Sequence, residues 1–413
     1  SFSQLLPDRR FTATPYAFVA QEAANAATLG GLPPSAFLPA PQNVIIVAKS
    51  GGHYDTITEA LESINKAGAG NPYLIWVAPG VYDETVAMKD FVDIAGAGQG
   101  LTRIRAPGTP TGATGTVTCA NNTELRDLTV ESTGGSNAIN TIAIRCYEAS
   151  PRLTRVTAMA SDGGQNYAVH NYMSSPTMTH VTANASGGYA NRAVYNDDSS
   201  PAMSDVTATA TGNGTGTSII DNRGVSNDYG SHPSMIRVTA TATGNNAQAE
   251  GWVYNYGMRN SSSSPSMTHV VATASGDDGA GGSYVRNYGV YSHTCSAPIV
   301  LDSVTATSSG LASNTGVYIN HASVTIRGGA IAATGGNNVG VSAYTTSGSG
   351  DTVEISNSHV LASNSTIFLG ADSTVRVAAS QLAGGPIILP STYTLACAGV
   401  YDEVFAPLDN TCQ

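Results

Sequence analysis

The chain has 413 residues, a formal net charge of −11 and 11% charged residues, against about 25% in an average globular chain. No basic stripe exists to neutralise phosphates, which excludes nucleic acid as a partner. No run of about 18 apolar residues exists to span a membrane, and the 41% hydrophobic content, much of it Ala and Val, suits a thin, elongated core.

The first 41 residues read as a separate extension and a candidate assembly segment. Thr14 as N-cap, Pro15 at the first helical position and Gly30 at the end predict a short Ala-rich helix. The Pro-rich stretch up to Pro41 reads as a linker. The chain starts at Ser1 without Met, as a secreted protein does once its signal is removed.

A second helix is predicted within "HYDTITEALESINKAGAG". Asp55 is the expected N-cap, Ile57, Ala60, Leu61 and Ile64 form one apolar face, and Gly68 ends it. Next, "YLIWVAPGVYDETVAM" and "VDIAGAG" read as the first coils of a repeat, with the helix covering their open end.

The repeat then becomes explicit. Pro151, Pro176, Pro201, Pro233, Pro265 and Pro298 open units spaced 25, 25, 32, 32 and 33 residues apart. After each Pro, apolar residues recur in columns: Leu153, Met178, Met203, Met235, Met267, Leu301; then Val156 to Val304; then Ala158 to Ala306. Polar residues, mostly Thr, lie between them, the period-two pattern of a strand with one face buried. A second strand carries an inward row from Ile144 through Val169, Val194, Ile220 and Val253 to Val285. Two residues later comes an Asn ladder: Asn171, Asn196, Asn222, Asn255 and Asn287. Stacked Asn amides hydrogen-bond from coil to coil.

Units of about 25 residues with short strands and polar turns predict an all-β, right-handed parallel β-helix over residues 42–385, with a C-terminal cap over 386–413. Propeller blades need about 40 residues, and leucine-rich repeats need a phrase that is absent.

Candidate chemistry was sought in four residue sets. Asp197 and Asp198, and Asp277 and Asp278, read as solvated turn residues. Arg223, Arg259 and Arg286 recur close together in the repeat, but no acidic cluster beside them is evident, so they read as surface arginines. His180 and His269 share a slot with Arg155, Asp205 and Arg237, which marks an exposed position. The TxT rows could suit an ice-binding face, but Met159, Asn184 and Val271 interrupt them.

Measured from the Asn ladder to the next Pro, three consecutive units are longer than the earlier ones. This predicts a stacked ledge carrying Tyr229, His232, Arg259, Tyr291 and His293, a candidate binding face for glycans. Cys119 and Cys146 lie 27 residues apart, about one coil, and are expected to form a disulfide, as are Cys397 and Cys412. Cys295 is left over.

"IIVAKSGGHYDTITEALESI…YLIWVAPGVYDETV", within residues 44–98, resembles the start of pectin methylesterases and related pectate-lyase-like β-helix proteins. "GVYDE" at Gly80–Glu84 is similar to an early GxYxE signature of that family. The resemblance implies the fold. The family's later QDTL, DFIFG and RPW-type motifs are not found, and "TIFLG" has Thr366 where an aspartate is expected. No catalytic residue, cofactor or metal ligand is carried over. "LLPDRRFTATPYAFVAQEAANAATLGG" and "CAGVYDEVFAPLDNTC" resemble segments of bacterial secreted and surface proteins. Together these features predict a non-catalytic extracellular structural protein that associates with itself as a surface fibre, sheath or appendage subunit. The alternatives are a carbohydrate-active enzyme or tailspike-like depolymerase, and a non-catalytic glycan-binding adhesin.

Overall fold

The computed structural model describes residues 43–108, 114–134, 140–212, 219–245, 252–277, 284–295, 297–344, 352–370, 373–389, 393–410 and 412. The extension and helix expected over 1–41 lie outside them. Residues 43–413 form one compact unit. Among the described residues 34 strands join in a single sheet wound as a right-handed parallel β-helix, each strand pairing in parallel with its counterpart in the neighbouring coils.

Each coil contributes three faces. One is built from the strands that follow Pro, such as Thr177–Thr179, Ala202–Ser204 and Ser234–Ile236. The second carries the TxT strands, such as Thr182–Ser186, Thr207–Thr211 and Thr239–Thr243. The third runs through Asn140–Tyr147, Gln165–Tyr172, Ala190–Asp197, Ile219–Asp228, Trp252–Ser261 and Tyr284–His293.

The predicted core columns align in register. Leu153, Met178, Met203, Met235, Met267 and Leu301 stack one above another and are all buried. Each side chain of this size removed from water contributes roughly 1.5–3 kcal/mol. The slot shared by Arg155, His180, Asp205, Arg237 and His269 is the corner between the first two faces. All five residues adopt the left-handed conformation, with φ between 51° and 56°. The corner is therefore a backbone pivot whose side chains point outward. Arg155 pairs with Asp127 and Arg237 with Asp205, each at 2.6 Å.

The helix predicted after residue 55 is shorter than expected, Ile57–Ser63, and its N-cap is Thr56 rather than Asp55: the Thr56 hydroxyl accepts from the Glu59 amide. Glu84 explains the "GVYDE" phrase. Its carboxylate accepts from the amides of Ile57 and Thr58 at 2.9 and 2.8 Å, satisfying the open N–H groups of the helix start. Tyr82 is fully buried beneath it. At the other end Lys89 Nζ donates to the carbonyls of Leu61 and Ile64, so the helix stops well before Gly68.

The register corrects the Asn ladder. Asn196 pairs with Asn227, and Asn222 pairs with Asn191. Two interior ladders therefore run five residues apart. One passes Asn166, Asn191, Asn222, Asn255, Asn287, Asn314 and Asn338, each amide donating to the next at 2.8–3.0 Å. The other passes Asn171, Asn196, Asn227 and Asn260 and ends on Ser292. The expected row had crossed from the second ladder to the first between Asn196 and Asn222. The inward row made the same slip, because Val194 pairs with Val225 and not with Ile220.

The enlarged corner falls with that correction. Tyr229 occupies the same left-handed corner as Glu148, Met173, Asp198 and Ser262. From the true ladder position, Asn227 or Asn260, the distance to the next Pro is nearly that of the shorter coils. The extra residues lie instead between the TxT strand and the third face, in segments that include 213–218, 246–251 and 278–283, outside the described residues.

Cys397 and Cys412 are joined by a disulfide with their Cα atoms 5.6 Å apart. Cys119 and Cys146 lie buried on adjacent coils, as the spacing predicts, with their sulfurs 2.6 Å apart, closer than two unbonded thiols sit. Cys295 is a free, half-buried thiol.

Candidate active site

On the third face the in–out alternation slips once per coil, at Ala193, Gly224, Gly257 and Gly289. An added Cβ at Gly224 would lie 2.6 Å from the Gly257 carbonyl and 2.7 Å from the Thr241 amide. The small residue lets the strand bend, and the outward side chains on either side of it converge. Tyr288 and Tyr291 meet edge-to-face at 5.2 Å, as do Tyr256 and Tyr291. Stacked over successive coils, these bends form a groove along the solenoid. Tyr256 and Tyr288 point outward into it yet are buried.

The groove collects charge where it crosses Ala190–Asp197, Ile219–Asp228 and Trp252–Ser261. Asp228 is buried between two arginines: Arg223 Nη1 lies 3.2 Å from one carboxylate oxygen and Arg259 Nη1 donates to the other. Arg223 is also bound bidentately to Asp221, at 2.8 and 2.5 Å. Burial alone would raise the Asp221 pKa, but Arg223 outweighs it and holds it below the usual carboxylate range. Arg192 lies over the rings of Tyr167 and Tyr195 at 5.2 Å and donates to the Tyr167 hydroxyl at 2.6 Å.

Asp197 is the register partner of Asp228 on the next strand. It is half-buried and accepts from the Tyr195 hydroxyl at 3.3 Å. Burial pushes its pKa up. The Tyr195 hydrogen bond pulls it back, and the charges of Asp228 and Asp198 add to the rise. A half-buried carboxyl group with a raised pKa thus stands beside one fixed by two guanidinium groups. A cleft of about 210 Å³ opens here, lined by Arg192, Tyr195, Arg223, Asp228, Tyr229 and Arg259 among others.

His170 lies one coil earlier, stacked between Tyr167 and Tyr195. Neither ring nitrogen has a hydrogen-bond partner. Burial first, then the charges of Arg145 and Arg192, lower its pKa to about 3.

These positions correct several expectations. Arg223 and Arg259 are not surface arginines, and an acidic cluster does stand beside them. Its members come from positions 221 and 228, separated in sequence from Asp197 and joined to it only by coil stacking. Asp197 is not a solvated turn residue, whereas Asp198 is exposed at the corner. Asp278 lies outside the described residues. The expected ledge divides: Arg259, Tyr291 and His293 line the groove, Tyr229 stands exposed at its rim, and His232 is exposed on the next turn, accepting from the Ser264 amide. Tyr195, Arg192 and Asp228 were missed. The phrases "NYAVHN", "NRAVYN", "NRGVSND" and "NYGMRN" carried the signal, because two Asn five residues apart frame the outward positions.

The pectinesterase family model matches residues 43–167, so the likeness runs beyond residue 98 into the groove strand that holds Tyr167. A match to an enzyme family corrects two expectations: that the protein is a non-catalytic structural subunit, and that it is not an enzyme. No curated protein sequence matches the chain. Among solved structures, a pectin methylesterase from Yersinia enterocolitica is similar at 15% identity, covering 56% of this chain and 81% of its own, with a TM-score of 0.37. The catalytic domain of a GH87 α-1,3-glucanase in complex with tetrasaccharides is similar at 11% identity, covering 89% and 68%, with a TM-score of 0.49. The A-module of an Azotobacter vinelandii mannuronan C-5 epimerase is similar at 15% identity, covering 86% and 95%, with a TM-score of 0.47. No helix among the described residues is long and apolar enough to cross a membrane. The chain is a right-handed parallel β-helix protein, similar to pectinesterases over residues 43–167.

Proposed function

We propose that the protein is a carbohydrate-active hydrolase that cleaves a glycosidic bond of a polysaccharide lying in the groove. One observation carries this reading: Asp197 and Asp228 stand side by side in register, Asp197 with its pKa raised by burial and Asp228 held between Arg223 and Arg259. Two carboxyl groups in such unlike surroundings suit the separate roles of acid and nucleophile. Register partners on adjacent strands have backbones about 4.8 Å apart, near enough for both carboxyl groups to act on one glycosidic bond, as in a retaining mechanism. Asp197 donates its proton to the leaving oxygen. Asp228 attacks the anomeric carbon to give a glycosyl ester. Asp197, now ionised, takes a proton from the water that releases the sugar. Arg223 and Arg259 hold Asp228 in place.

The pectinesterase match favours a second reading, in which the same pair opens a sugar ester. Action outside the cell is supported by the Cys397–Cys412 disulfide. The test is a panel of neutral and acidic polysaccharides assayed for new reducing ends and for released alcohol or acid. Reducing ends support the main reading; alcohol or acid alone supports the second. Asp228→Asn and Asp197→Asn are each expected to lower the rate by roughly 10²–10⁴-fold. Activity unchanged in both variants would sink the assignment.

A further inference from the structure

Three coils beyond the carboxylate pair, the groove changes character. Ring stacks run along it: Tyr256 on Tyr288 at 5.3 Å, Trp252 on Tyr284 at 4.9 Å and Tyr291 on Tyr318 at 4.9 Å. Then one column opens while its neighbour continues. Tyr288 is followed in register by Thr315 and Val339, and two coils without a ring in that column open about 10 Å along the axis. Beside it the rings run on, Tyr318 against Tyr344 at 5.6 Å and Tyr344 against Phe368 at 5.4 Å. A slot of about 520 Å³ results, with Tyr284 and Tyr288 at one end and Tyr318, Tyr344 and Phe368 among its lining. Its floor is Thr315 and Ser342, and the amides of Asn337 and Asn364 stand at its edge.

Charge is nearly absent. Among the described residues the single ionised side chain lining the slot is Arg286, which lies 4.7 Å from the centre of the Trp252 ring. Aromatic walls with hydroxyl and amide groups between them suit a ligand with apolar faces, a polar rim and no charge. A pyranose ring has that character, and a polysaccharide held at Asp228 is carried along the groove into this slot.

We propose that the slot holds an uncharged pyranose residue of the polysaccharide, about three coils from the reacting bond. This rests on reading the groove as a polysaccharide site. Three strand steps are about 14 Å, so only a chain of several sugars fills both places. The slot then selects for polymer length and for neutral sugars at that distance from the cut.

The test is affinity electrophoresis of the full chain in gels containing soluble β-1,3-glucan, xylan or galactomannan, with polygalacturonate and alginate as charged comparisons, at low and high salt. At least one neutral polymer is expected to retard the protein independently of salt. Tyr318→Ala should weaken that retardation roughly tenfold or more, while Tyr318→Phe should keep it and control for folding. Asp197→Asn should bind normally while losing activity, so binding can succeed or fail apart from catalysis. Retardation by no neutral polymer would overturn the proposal. So would binding confined to the polyuronates and lost in salt, or binding that survives Tyr318→Ala combined with Trp252→Ala.

Discussion

The two halves of the groove share one backbone and differ in almost every outward side chain. Inside, the same Asn ladder runs from Asn166 to Asn338 beneath both. Outside, the half built on Ala190–Asp197, Ile219–Asp228 and Trp252–Ser261 holds two carboxylates and three arginines in mutual contact, with Asp197 beside them, while the half beyond Tyr284 holds rings and hydroxyls. Stacking fixes the interior because each coil must match its neighbours. The outward columns carry no such constraint, so chemistry can change within a coil or two. Function should therefore be divided along the groove, and the halves should respond differently to substitution.

The largest difference is expected in stability. Asp228→Ala leaves Arg259 without its buried partner and Arg223 with only Asp221. Breaking a buried pair from one side costs about 3–5 kcal/mol. Tyr318→Ala, at a half-buried ring on the slot, should cost less. Urea unfolding of both variants checks this, and equal losses would mean that the charged half is not held together by its ion pairs. A smaller effect is expected from Asn222→Ala beneath the groove. It removes an amide that bonds to Asn191 and Asn255 at 2.9 Å and leaves buried partners unsatisfied, at about 1–3 kcal/mol. Because the ladder is common to both halves, Asn314→Ala should cost a similar amount. A large difference between the two Asn variants would break the picture of a uniform interior.

The interior was legible in the sequence and the groove was not, for a physical reason. Core columns repeat the same residue at the same offset, so Met178, Met203, Met235 and Met267 announce the coil. The outward positions of the third face vary within a few coils: one column runs Tyr167, Arg192, Arg223, Tyr256 and Tyr288. A site made from such columns has no phrase of its own. It emerges only when the register is known, and the register was misread by one ladder, because Asn222 and Asn227 both look like the successor of Asn196. That slip moved Asp228 out of line with Asp197, hid the carboxylate pair and created the enlarged corner. The helix cap was misread for a related reason. Asp55 and Thr56 are both good N-caps by type, and the choice depended on Glu84 arriving from a later coil.

The smallest expected effect is the most specific to the charged half. If Asp197 is the proton donor, the rate falls as pH rises through its pKa, which burial holds above the usual carboxylate range. The Tyr195 hydroxyl, at 3.3 Å, stabilises the ionised form and partly offsets that rise. Tyr195→Phe removes this hydrogen bond and leaves the ring against His170 and Arg192. The Asp197 pKa should then move further up, shifting the descending limb of the pH–rate profile to higher pH. Stability follows the same sign. A carboxyl whose folded pKa lies above its unfolded value destabilises the fold once pH exceeds the unfolded value, and fully so above the folded one. The variant should therefore lose slightly more stability than the parent as pH rises through that window. Tyr318→Phe, in the other half, should leave the limb where it is. If both Tyr variants move the limb equally, or neither does, the titrating acid is not Asp197, and the division of the groove into a reacting half and a holding half loses its chemical basis.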